Sequence, residues 1–141
     1  MSSGPSGDKV IRVDMTRQSA EAVEFPEGWR LLGGRALSAR ILLAECDPTC
    51  DPLGPENVLV MAPGVLSGTA APTSGRISIG GKSPLTGGIK EANAGGQPGQ
   101  HLMKLGYRAI VVTGAAPDPE RRYALEVSAD GIKVVPADEY K

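Results

Sequence analysis

The sequence predicts an α+β domain, with antiparallel sheets and two short helices. Three observations carry that expectation. Segments that alternate apolar and polar residues cluster at both ends of the chain. Only two segments repeat their apolar residues at helical spacing, and both are short. The 19 glycines and 12 prolines among 141 residues fall mostly between these segments, so they mark loops. Strands at both ends with helices interspersed favour α+β over a regular βαβ alternation. The length leaves room for one domain, placed at residues 9–141 after a small polar leader, MSSGPSGDK, whose residues 1–8 read as flexible.

The elements follow in order. KVIRVDM (9–15) sets Val10, Arg12 and Asp14 against Ile11, Val13 and Met15, a period-2 strand. EAVEF (21–25) reads as its partner, ended by Pro26-Glu27-Gly28. RALSARILLAE (35–45) is the stronger helix: Leu37, Ile41 and Leu42 form one apolar stripe behind Gly33-Gly34. DPTCDPLGPEN (47–57) holds three prolines and cannot be a helix interior. NVLVMAP (57–63) is a short buried strand, and GRISIGGKS (75–83) opens as another. A glycine-rich loop is expected from there to Gly96. GQHLMKLG (99–106) is a short helix, with Pro98 near its start and Gly106 as its C-terminal stop. YRAIVVTG (107–114) is a β-branched strand. RRYALEVS (121–128) and GIKVVPA (131–137) make a hairpin around Asp130-Gly131. That gives about seven strands and two helices. Asp138-Glu139-Tyr140-Lys141 reads as a fraying end.

Composition excludes several functions. The formal net charge is −1, from 15 basic and 16 acidic residues, which lacks the basic footprint of a nucleic-acid binder. No apolar run approaches a membrane span, and the N-terminus has no signal core, so a cytoplasmic protein is expected, with no membrane partner. Cys46 and Cys50, in CDPTC, read as reduced thiols, one near a helix end and one in a turn. Two thiols with a distant His101 do not make an autonomous zinc or iron–sulfur site. His101 reads as a helix-surface or interface residue and Lys104 as solvated. No nucleophile–base set stands out, so no catalytic residue is assigned.

The stretch APTSGRISIGGKSPLTGGIKEANAGG (71–96) raises the functional question. It has three Gly pairs and no aromatic residue. GGKS (80–83) invites a phosphate-loop reading, but that pattern needs Gly at position 76, where Arg76 stands. Ser83 is followed by Pro84-Leu85-Thr86-Gly87-Gly88, where a helix is required. The physical demand outlives the failed motif. Paired glycines admit close approach of a ligand to backbone. Arg76 offers a planar, multidentate cation, and Asn93 both a donor and an acceptor. Two readings stay open on the residues alone: a site for a phosphorylated heterocyclic cofactor, or an irregular loop packed on a neighbouring domain with Arg76 and Lys82 solvated.

The runs GGRALSARILL, DPLGPENVLVMAPGVLSGTAAPTSGRISIGGKSPLTGGIKEANAGG and LMKLGYRAIVVTGAA resemble the N-terminal domain of the tungsten-containing aldehyde:ferredoxin oxidoreductases. The resemblance covers residues 9 to 138. It implies an α+β base on which a tungsten, less often molybdenum, bis-pterin cofactor sits, with magnesium bridging the pterin phosphates. The implied chemistry is oxidation of aldehydes to carboxylic acids, with electrons leaving through a [4Fe–4S] cluster to ferredoxin, in an anaerobic setting. Carried onto matching positions, Arg76 meets the pterin. Asn93, Ala94, Gly95 and Gly96 line its phosphate, with Asn93 also at the magnesium. Lys82 is a weaker candidate, with a structural alternative.

The resemblance also implies what must come from elsewhere. Family enzymes are several times longer, and their later domains carry the cluster cysteines and the acid/base groups. This chain matches only the first half of a duplicated N-terminal domain, and Gly99-Gln100-His101-Leu102-Met103-Lys104 replaces a PELK-like helix start. The expectation is therefore a subunit or fragment that contributes the cofactor base and works with other oxidoreductase domains or subunits. The alternatives are a free-standing pterin- or oxyanion-binding protein, or a domain that keeps the surface for protein contacts. A two-fold homodimer with facing Arg76 loops would restore the duplicated arrangement.

Overall fold

The computed structural model describes residues 9–140. The expected leader and Lys141 lie outside them. Eight strands and two α-helices follow in chain order: β1 (Lys9–Asp14), β2 (Ser19–Glu24), α1 (Gly34–Glu45), β3 (Leu59–Pro63), β4 (Ile77–Lys82), β5 (Ile89–Ala94), α2 (Pro98–Lys104), β6 (Tyr107–Thr113), β7 (Tyr123–Ser128) and β8 (Gly131–Pro136). Six strands form one sheet in the order β2-β1-β6-β3-β4-β5, and β7-β8 form a separate hairpin. The α+β expectation holds. All ladders are antiparallel except β1–β6, which is parallel.

The sheet is covered on both faces, and the strand sequences say why. β1 carries Val10 on one face and Ile11 and Val13 on the other, all buried; β6 does the same with Ala109, Ile110 and Val111. Central strands buried on both sides lose clean alternation. On one face, α1 brings Leu37, Ile41 and Leu42 against Val10, Val58, Val60, Ala62, Ala109 and Val111. Each such side chain, fully buried, contributes about 2 kcal/mol. On the other face, Ile11, Val13, Ile77 and Ile110 meet Leu102 of α2 and Leu125, Val127, Ile132 and Val134 of the β7-β8 hairpin.

Local chemistry sets the boundaries. Gly106 (φ +88°) stops α2, and Gly131 (φ +139°) makes the β7-β8 turn, as expected from the sequence. Gly80 lets α1 lie close to β4: a Cβ there would stand 3.2 Å from Leu42 Cδ1 and from Ser38. At the far end of α1, Glu45 faces the negative pole of the helix, and the Arg12 guanidinium of β1 pairs with it through two hydrogen bonds.

Two expectations are corrected. The loop expected to run to Gly96 contains a strand, β5, paired residue for residue with β4. It is an edge strand exposed along nearly its whole length, so burial imposes no apolar alternation on IKEANA. Asp138–Tyr140, expected as part of an irregular end, forms a 3-10 turn, and the Asp138 carboxylate accepts Arg122 N–H at 3.1 Å.

Candidate functional site

The β4-β5 hairpin occupies one edge of the sheet, with Ser78 opposite Asn93, Gly80 opposite Glu91 and Lys82 opposite Ile89. Alternation puts Arg76, Ser78, Gly80 and Lys82 on the α1 side of β4. The two ends of this row have different partners.

At one end, Arg76 Nη1 donates to Asn93 Oδ1 at 2.9 Å, and both residues are exposed. Asn93 Nδ2 lies 3.5 Å from Glu91 Oε1, and Ser78 Oγ donates to the same oxygen at 2.8 Å. Ser38 Oγ of α1 stands 3.4 Å from Ser78 Oγ. A polar chain thus runs from the helix, under the sheet edge, to the Arg76 guanidinium. The Ser78 hydroxyl, then Asn93 and the cations Arg35 and Lys90, hold the Glu91 carboxyl below its ordinary range against a smaller opposing effect of burial. Glu91 is therefore ionised at neutral pH and fixes the Asn93 amide with its oxygen toward Arg76.

The backbone beyond Asn93 is bare. Ala94, Gly95 and Gly96 are exposed, and a Cβ on Gly95 would meet nothing within 4 Å. The fold does not require glycine at 95, whereas Gly96 turns at φ +100°. Gly75 is different: its Cβ would stand 2.5 Å from Gly96 O and 2.9 Å from Gln100 Nε2. Gly75 therefore lets the 95–96 turn fold down beside Arg76. Arg76, Asn93, Ala94, Gly95 and Gly96 come together as one open rim.

Lys82 is not part of this rim. At the other end of β4, its Nζ donates to the carbonyls of Pro48 and Cys50 at 2.6 and 2.5 Å. Asn57 holds the same residue by its backbone. Asn57 Oδ1 accepts Lys82 N–H at 3.0 Å and Asn57 Nδ2 donates to Lys82 O at 3.1 Å, as a neighbouring strand would. Ser83 Oγ accepts the N–H groups of Leu85 and Thr86 at 3.2 Å. Both side chains of the tempting Lys-Ser pair are committed to the protein itself.

Sequence reasoning missed Glu91 and Ser78 as supports of the rim. Ser78 was legible as two residues from Arg76 on a strand; Glu91 required knowing that β5 exists. Among the described residues, no group of three His, Cys, Asp or Glu side chains is placed to hold a metal ion. No helix among them is long and apolar enough to cross a membrane.

Comparison with known proteins gives a consistent answer. The family profile for the aldehyde ferredoxin oxidoreductase N-terminal domain matches residues 10–141. The chain is 48% identical over 113 residues to the tungsten-containing aldehyde ferredoxin oxidoreductase of Pyrococcus furiosus, and 44% identical over 113 residues to that of Thermococcus kodakarensis. Each match covers 79% of this chain and 19% of the relative, so the chain spans about a fifth of those proteins. A P. furiosus aliphatic sulfonate oxidoreductase, WOR-like subunit, is 34% identical over 116 residues, covering 79% of this chain and 18% of the relative. Among solved structures, the active site complex BamBC of benzoyl coenzyme A reductase, in complex with 1,5-dienoyl-CoA, superposes with a TM-score of 0.90. That match has 30% identity and covers 98% of this chain and 21% of that one. The chain belongs to the aldehyde ferredoxin oxidoreductase N-terminal domain family.

Proposed function

We propose that this chain supplies the base for a tungsten, or molybdenum, bis-pterin cofactor in an oxidoreductase that converts aldehydes to carboxylates. The observation that carries the reading is the open rim: an exposed Arg76–Asn93 pair beside the bare backbone of residues 94–96. The donor set fits a pterin phosphate. A guanidinium has five N–H donors, and Arg76 spends one of them on Asn93 among the described residues. Gly95 leaves room for a ring or phosphate to contact backbone. When bound, the metal dithiolene supplies the two-electron redox chemistry.

The chain's own part is binding and orientation. Arg76 neutralises phosphate charge and presents a flat surface to a heterocycle. Ser78 and Glu91 hold Asn93 so that Arg76 keeps one direction. A magnesium ion at Asn93 would share Oδ1 with Arg76. Lys82 contributes by holding the hairpin and not by touching the cofactor. The [4Fe–4S] cluster, the acid/base groups and the ferredoxin contact come from other domains or chains.

Metal and pterin analysis of the chain purified anaerobically from its native source tests the reading. Tungsten or molybdenum with pterin in stoichiometric amount, together with larger oxidoreductase polypeptides, is the expected result. Cofactor without other polypeptides would favour a free-standing carrier. A chain that is empty and takes up no cofactor would leave the rim as a protein-contact surface.

A further inference from the structure

The cysteine pair beside Lys82 has no part in the cofactor reading. Cys46 caps α1, its N–H bonded to Leu42 O at 2.9 Å, and Pro48 prevents the helix from continuing. The chain then turns on itself. Cys50 N–H bonds Asp47 O at 3.1 Å, and Asp47 Oδ1 accepts both the N–H and the hydroxyl of Thr49 at 2.7 Å. Lys82 Nζ grips the turn from β4 through the carbonyls of Pro48 and Cys50. These bonds place the two sulfurs 3.7 Å apart, in van der Waals contact, with both thiols free.

The two thiols differ in access. Cys46 is half-buried and lines an open groove of about 250 Å³ with Leu42, Leu43, Pro48 and Ile89. Cys50 is 8% exposed. A small reagent in the groove meets Cys46, and the Cys50 sulfur lies 3.7 Å from the Cys46 sulfur. We propose that Cys46 and Cys50 are a redox-active dithiol that closes reversibly to an intramolecular disulfide by exchange with a low-molecular-weight disulfide. The Cys46 thiolate attacks one sulfur of the small disulfide, whose S–S bond breaks. One small thiolate leaves and takes up the proton released from Cys46. The Cys50 thiolate then attacks the Cys46 sulfur of the mixed disulfide, and the second small thiolate leaves with the Cys50 proton. The protein dithiol loses two electrons and the small disulfide becomes two thiols.

The alternative use of such a pair, a metal site, lacks ligands: no third His, Cys, Asp or Glu joins the thiols among the described residues. Burial, with Cys46 beside it, pushes the Cys50 thiol up, so its thiolate is scarce and its attack on the mixed disulfide is the slower of the two exchanges. Closure needs the sulfurs to approach by about 1.7 Å from their 3.7 Å separation, to reach bonding distance.

The test is to equilibrate the 141-residue chain in graded mixtures of oxidised and reduced glutathione, quench in acid, alkylate and weigh the intact protein. Both thiols are expected to disappear together in one transition, with loss of two hydrogen atoms, no retained glutathione and full reversal by dithiothreitol. Glutathione retained on the wild-type chain, a disulfide between two chains, or two alkylatable thiols throughout would each overturn the proposal. A Cys50→Ser chain, folded by its circular dichroism spectrum, is expected to retain one glutathione on Cys46. A folded variant that retains none would overturn the role of Cys46 as the attacking thiol.

Discussion

The two ends of β4 carry similar side chains and use them in opposite ways. At the Lys82 end, side chain and backbone of the cation both have partners inside the chain: the ammonium holds two carbonyls, and the Asn57 amide holds the Lys82 backbone. At the Arg76 end, the guanidinium has one hydrogen-bond partner among the described residues, an exposed amide, and the adjoining backbone is bare. The first arrangement closes a sheet edge. The second leaves donors and space for something outside the chain. A cation in a glycine-rich stretch is thus not a ligand by composition. What decides is whether its donors are already spent.

The contrast can be broken from the closed end first. Asn57→Ala removes five hydrogen bonds at once, including both to the Lys82 backbone and the long one from Cys46 Sγ. It should cost about 3 kcal/mol, read as a lower denaturation midpoint at unchanged m-value. A loss below about 0.5 kcal/mol would show that the closed end is not held by its hydrogen bonds. Gly75→Ala comes next. Its new Cβ meets Gly96 O at 2.5 Å, so the 95–96 turn must shift, at a cost of about 2 kcal/mol. Hydrogen exchange should show the change at residues 94–97 and not at residues 82–88.

The mildest change sharpens the open end. The folded Glu91 carboxyl titrates below its ordinary value of 4.5, so its contribution to stability is full above that value and falls away as the pH drops through and below it. Glu91→Gln should therefore lower stability modestly at neutral pH and flatten the acid side of the profile, so that variant and wild type converge as the pH falls. An unaltered acid limb in the variant would mean that Ser78 and Asn93 do not hold a carboxylate.

Most elements were legible because burial writes a pattern. One face of β1 repeats Ile11 and Val13, α1 repeats Leu37, Ile41 and Leu42, and Asp130-Gly131 marks the turn between β7 and β8. β5 was not legible, because an exposed edge strand has no apolar face to announce it. Nor was the parallel pairing of β1 with β6, whose partners lie about a hundred residues apart. At the site, Arg76 and Asn93 were identifiable as residues, but their pairing rests on the β4-β5 register. Lys82 looked available because the carbonyls that occupy it lie 32 and 34 residues away in sequence.

The central claim, that the open end of β4 holds cofactor and the closed end holds the fold, is tested most directly by one paired measurement. Arg76→Ala and Lys82→Ala chains would be purified identically under anaerobic conditions with their partner polypeptides, and each assayed for tungsten, pterin and melting temperature. Arg76→Ala should lose cofactor while the cofactor-free protein keeps its stability to within about 0.5 kcal/mol. Lys82→Ala should lose about 1–2 kcal/mol of stability, and the folded fraction should keep its cofactor. Full cofactor in Arg76→Ala, or cofactor loss in folded Lys82→Ala without loss of stability, would contradict the account.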